Sequence, residues 1–112
     1  MIERRKFVRI PDNSLISYRQ VRYTKTGGYL TRDISQGGIR FYVHEFIAKD
    51  SLLAIRLTLQ NIFFSFEALV KVAWIVEVPR SDRYEIGVEF KEIPSEAVNH
   101  LIAYIKDVVT RQ

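Results

Sequence analysis

Apolar and polar residues alternate with a period of two from about Ser14 to Phe90, the pattern of strands that bury one face and wet the other. The clearest stretch is IFFSFEALVKVAWIVEV. Its even positions are Ile62, Phe64, Phe66, Ala68, Val70, Val72, Trp74, Val76 and Val78, while Ser65, Glu67, Lys71 and Glu77 fall on the odd set. These seventeen residues are long for one straight strand, so a bend or bulge is expected within them. Leu53, Ile55, Leu57 and Leu59 share one side of the preceding run, and Gln60-Asn61 separates the two as a hairpin turn. Tyr84, Ile86, Val88 and Phe90 alternate again. Shorter strands fit residues 15–21, 29–34 and 39–43, with Gly27-Gly28 and Gly37-Gly38 expected to break the chain between them.

After Pro94 the period changes. Val98, Leu101, Ile102, Ile105, Val108 and Val109 recur at helical spacing, with Ser95 as N-cap and Glu96 suited to the positive helix start. The apolar stripe of this helix, at about residues 95–110, must cover an open end or face of the sheet, or in part serve a partner. About six antiparallel strands followed by one helix predict a mainly β fold, a small antiparallel barrel capped by that helix. Closure removes the strand edges that would invite aggregation.

A chain of 112 residues fits one domain and can bury a core without staples. It contains no cysteine, so disulfides and thiolate chemistry are excluded. The charged N-terminus does not resemble a signal peptide, and no apolar run approaches the roughly 20 residues of a membrane helix. The expectation is a soluble, cytoplasmic protein that does not insert into membranes. The net charge of +4 is concentrated: residues 1–9 hold Arg4, Arg5, Lys6 and Arg9 against Glu3 alone. A local cationic cluster points to an anionic partner more strongly than uniform basicity does.

Nothing argues for catalysis. His44 and His100 lie far apart in different elements, outside any metal-ligand spacing, and no nucleophile-elbow, zincin or phosphate-loop motif occurs. The chain is therefore read as a binding protein, not an enzyme, with no metal and no cofactor. Two stretches carry binding chemistry. In Arg5-Lys6-Phe7-Val8-Arg9 two guanidiniums stand four apart with Arg4 just before. A guanidinium is a planar fork that bonds phosphate bidentately, stacks on a base, or meets O6 and N7 of guanine. In Asp33-Ile34-Ser35-Gln36-Gly37-Gly38, Asp33 can accept two N–H bonds, as from N1 and N2 of guanine, and Ser35 adds a donor and acceptor. Gly38, without a Cβ, admits close approach of a ligand or of a tight backbone. Each stretch taken alone also fits a plainer role, a solvated end and an ordinary turn.

Together, R-x-x-x-R at Arg5 and Arg9 and D-x-S-x-x-G at Asp33, Ser35 and Gly38 resemble the PilZ domain family. Val72-Ala73-Trp74 and Ile86-Gly87-Val88-Glu89-Phe90 are similar to its later strands, so the resemblance covers nearly the whole chain. It implies a six-stranded antiparallel barrel that binds the bacterial second messenger cyclic di-GMP. By position, Arg5 and Arg9 would hold guanine edges and phosphates, Asp33 and Ser35 would grip a guanine, and Gly38 would leave room. Arg4, just before the first motif, implies an intercalated dimer of the ligand. Trp74 has two roles open to it: core packing, by its alternation with Val72 and Val76, or ligand contact, as the resemblance implies.

The implied organisation is a flexible Arg-rich ligand-binding segment at 1–13 and a barrel with its helix at 14–112. Ligand would neutralise and order the cationic segment. With no output domain expected in the chain, an unidentified effector protein of motility, pilus, polysaccharide or signalling machinery would read the change. Arg9→Ala or Asp33→Ala should then abolish or severely weaken binding and leave the fold intact. Two other readings compete: a PilZ-like protein-interaction module that does not bind nucleotide, and a small-barrel single-stranded nucleic-acid binder stacking bases on Tyr18, Tyr23, Tyr29 and Tyr42. The near balance of charge outside residues 1–9 argues against nucleic acid as the partner.

Overall fold

The computed structural model describes residues 7–21, 26–60 and 62–110. Among these, the chain runs β1 (Arg9–Pro11), β2 (Leu15–Gln20), β3 (Thr26–Ser35), β4 (Gly38–Val43), β5 (Leu52–Thr58), β6 (Ser65–Glu77), β7 (Tyr84–Glu92) and α1 (Ser95–Thr110). All strand pairs are antiparallel, in the order β1-β3-β2-β5-β6-β7-β4. A further pairing of β3 with β4 closes β2 to β7 into a six-stranded barrel and leaves β1 as an extra strand on β3.

The alternation read from the sequence places the core. Ile16 and Tyr18 from β2, Phe41 and Val43 from β4, Ile55 and Leu57 from β5, Val70 and Val72 from β6, and Ile86 from β7 all point inward and are buried. The expected hairpin pairing of β5 with β6 is present, with Thr58 opposite Ser65 and Leu59 N–H donating to the Phe64 carbonyl at 2.9 Å, while Asn61 lies outside the described residues.

Four local readings need correction. Gly27-Gly28 does not break the chain: both residues lie inside β3, opposite Tyr18 and Ser17, where the ladder carries them despite their poor strand propensity. Strand β1 was too short to show alternation, and Pro11 is tolerated because β1 is an edge strand. The first helical bond runs from Val98 N–H to the Pro94 carbonyl at 3.1 Å, so Pro94 rather than Ser95 takes the N-cap place. Finally, the buried stripe of α1 is Ala97, Leu101, Tyr104 and Ile105, while Ile102 and Val109 stay exposed.

Tyr104 enters that stripe because its hydroxyl has a partner: it donates to Asp12 Oδ1 at 2.5 Å. Asp12 Oδ2 also accepts from Thr31 Oγ1 at 2.7 Å. One carboxylate thus ties the helix, the turn after β1 and the middle of β3 together. Burial, and then the bond to Asp12, push the Tyr104 phenol up to about 12.

Candidate ligand-binding site

Two register shifts build the site. In β3, Thr31 faces Phe41 while Asp33 faces Arg40, so Arg32 is an extra residue. In β6, Val72 faces Val88 while Trp74 faces Gly87, so Ala73 is extra. A bulge reverses the side-chain alternation beyond it. Past Ala73, Ile75 therefore takes the inward place against the core, while Val76 is exposed and Trp74 lies outside the core cluster. The expected alternation of Trp74 with Val72 ends at that bulge.

Trp74 instead lies on Gly87: a Cβ added there would sit 2.3 Å from the indole Nε1. The indole is one wall of a cavity of about 230 Å³ that is also lined by Phe7, Arg9, Ser35, Gly38, Arg40 and Glu89. Arg9, Ser35, Gly38 and Trp74, named from the sequence as site residues, thus converge on one place. Asp33 sits beside it, its side chain 7% exposed, with Oδ1 3.7 Å from Arg9 Nε. β1 makes this convergence: Arg9 stands opposite Ser35, and Pro11 opposite Asp33. Arg4 and Arg5 lie outside the described residues. Of the segment read as 1–13, the described part includes Arg9–Pro11, paired with β3 here.

The turn between β3 and β4 is shaped by Ser35. Its Oγ accepts from the backbone N–H groups of Gly37 and Gly38, each at 3.1 Å, a side-chain turn that caps the strand end. Gly38 is glycine because β7 crosses close by: an added Cβ would lie 2.1 Å from the Val88 carbonyl oxygen. The close approach of backbone that its missing Cβ admits is met by β7.

Sequence reasoning missed Arg40. Its Nη2 lies 2.5 Å from Asp33 Oδ2, and its Nη1 3.6 Å from Glu85 Oε1. Arg32 Nη1 holds the other Glu85 oxygen at 2.5 Å and also donates to the Tyr42 hydroxyl at 2.7 Å. Asp33 is therefore a buried carboxylate between two guanidiniums. Removing it takes away the counter-ion that both guanidiniums share, although each stays partly exposed and Arg40 keeps Glu85. Asp33→Ala should consequently cost some stability as well as binding, a loss the expectation from its polar type did not include. The clue available in the sequence was period-two spacing, which puts Arg40 between inward-facing Ile39 and Phe41. Arg40 Nε is sealed from solvent with no hydrogen-bond partner among the described residues, an arrangement that costs about 1–3 kcal/mol. On the opposite wall, the Lys91 ammonium, with help from Lys71 and against a smaller burial effect, holds the Glu89 carboxyl below its usual range.

Among the described residues, Tyr18, Tyr29 and Tyr42 are engaged by other groups of the chain. Tyr18 is buried, stacks on Tyr29 and donates to Glu45 at 2.6 Å. Tyr42 has Arg32 and Arg83 over its ring. Tyr23 lies outside the described residues.

A family model described as the PilZ domain matches residues 3–107. No curated protein matches the sequence. Among solved structures, the Bacillus subtilis inhibitor of motility MotI/DgrA is similar at a TM-score of 0.83 and 20% identity, covering 99% of this chain and 54% of that one. K. pneumonia MrkH, in a complex with c-di-GMP, gives 0.80 and 16%, covering 98% and 54%. The PilZ domain of Escherichia coli YcgR, with c-di-GMP, gives 0.72 and 15%, covering 97% and 93%. This chain thus spans about half the length of the first two neighbours.

Proposed function

This chain belongs to the PilZ domain family, and from that premise we propose that it is a receptor for cyclic di-GMP. One observation carries the reading: Arg9, Ser35 and Trp74, from three separate parts of the sequence, line a single cavity beside the carboxylate of Asp33. Two relatives of the same fold were solved with that ligand.

In this reading Asp33 accepts from N1 and N2 of one guanine, and Arg9 supplies a fork for a guanine edge or a phosphate. The Trp74 indole, already braced on Gly87, offers a face to a purine. Ser35 and Gly38 hold the turn at the height that lets these groups meet. Arg5 extends the cationic fork and Arg4 supports a second, intercalated ligand molecule. The ligand's negative charges would neutralise the cluster at residues 1–9 and fix it against the barrel, and a partner protein would read the altered surface. The reaction class is recognition, with no bond made or broken.

Calorimetric titration of cyclic di-GMP into the whole chain tests the proposal. Saturable heat that Arg9→Ala weakens at least about tenfold, the value of one bidentate contact, is expected. Absence of heat and of thermal stabilisation in the unaltered chain would leave the non-binding interaction module as the better account. A stoichiometry of two that falls toward one in Arg4→Ala is expected of the intercalated mode.

A further inference from the structure

Arg40 and Asp33 face each other directly across β4 and β3. Neither the R-x-x-x-R spacing nor D-x-S-x-x-G, which ends at Gly38, includes Arg40. Yet its guanidinium is strung between two carboxylates, Asp33 at 2.5 Å and Glu85 at 3.6 Å, and Glu85 is itself held by Arg32. Among the described residues its Nε meets no acceptor, and the pose of Arg40 is set by the carboxylates it spans.

A carboxylate has about four acceptor positions. Arg40 takes one on Oδ2, and Arg9 Nε, at 3.7 Å, is too distant from Oδ1 for a direct hydrogen bond. Acceptor capacity therefore remains on both oxygens, while the carboxylate plane is held from one side. The torsion that turns this plane is otherwise soft. We infer that Arg40 is a positioning residue for guanine recognition: it fixes the Asp33 carboxylate so that both oxygens can accept at once, from N1–H and from the exocyclic amino group. The inference rests on the receptor reading above and adds a specificity device to it. The competing role for Arg40, a direct contact to phosphate, would support every cyclic dinucleotide alike.

That difference supplies the test. Cyclic di-GMP and cyclic di-IMP, which lacks only the exocyclic amino groups, are titrated into the unaltered chain and into Arg40→Met, Arg40→Lys and Glu85→Gln, with a thermal melt of each. The unaltered chain should prefer cyclic di-GMP by about tenfold or more. In Arg40→Met the preference should fall to about threefold or less through loss of cyclic di-GMP affinity, with cyclic di-IMP affinity nearly unchanged. Arg40→Lys, whose ammonium can still pair with Oδ2, should restore part of the preference. Should Arg40→Met fail to fold, Glu85→Gln, which touches neither Asp33 nor the cavity, must still lower the preference. An unchanged preference in these variants, or an equal loss for both ligands, overturns the inference while leaving the receptor reading standing. Binding of neither ligand by the unaltered chain overturns both.

Discussion

From Leu15 opposite Thr58 to Leu52 opposite Lys71, the wall made by β2, β5 and the first half of β6 pairs residue for residue without a break. The opposite wall, made by β3, β4, β7 and the rest of β6, shifts register beside Asp33 and again beside Trp74, and β7 shifts once more where it meets Leu69 and Val70. The first wall is held by buried aliphatic and aromatic side chains, the second also by buried charge, a serine-capped turn and two glycines placed against close neighbours. A regular ladder can only present alternate residues to the same face, so a polar cluster at a barrel end needs the breaks. On the proposed reading, recognition is placed on the side of the small barrel where the ladder breaks.

Substitutions should separate the two walls. The largest loss of stability is expected from Leu57→Ala in the regular wall, where a fully buried side chain leaves a cavity: about 2–5 kcal/mol in urea unfolding. Ligand affinity of the folded fraction should not change, and a matching loss of affinity would erase the distinction. Gly38→Ala should cost about 1–3 kcal/mol, because the new methyl meets backbone rather than a movable side chain. Here affinity should fall as well, since β4 and β7 must part at the cavity. Asp33→Asn keeps the shape and removes one acceptor pair, so about tenfold weaker binding with a smaller change in melting temperature is expected. Unaltered affinity would place the ligand elsewhere.

The smallest effect is one of pH. The folded Tyr104 phenol sits at about 12 against an ordinary 10.0, so its contribution is fully present below pH 10 and is lost as pH rises toward 12. Burial and Glu45 raise Tyr18 as well, in the same direction. Denaturation midpoints should fall over this window, and Tyr104→Phe should flatten part of the slope. An unchanged slope would show that Tyr104 is not held buried against Asp12 in solution.

The contrast between the walls also explains how much could be read from the chain. Where pairing is regular, alternation named the buried residues directly, as with Ile55, Leu57, Val70 and Val72. The closed six-stranded barrel and its helix follow from the same signal. It failed where the ladder breaks: Trp74 could not be assigned a face, because one extra residue at Ala73 decides it and nothing in the local sequence marks the insertion. Tyr104 was passed over because its burial depends on Asp12, ninety-two residues away. The turn residues Asp33, Ser35 and Gly38 were visible by type and spacing, but Arg40 was not. Its role is defined by cross-strand partners, and a single arginine in a strand ordinarily signifies only a wet face.

Trp74 is the only tryptophan in the chain, and it lines the cavity on which the account depends. Its fluorescence during a titration with cyclic di-GMP is therefore the most direct measurement. A saturable change in intensity or wavelength is expected, one that tracks calorimetric binding and is weakened in parallel by Asp33→Asn. Calorimetric binding with an indifferent Trp74 signal would contradict it, because the ligand would then occupy some other surface of the barrel.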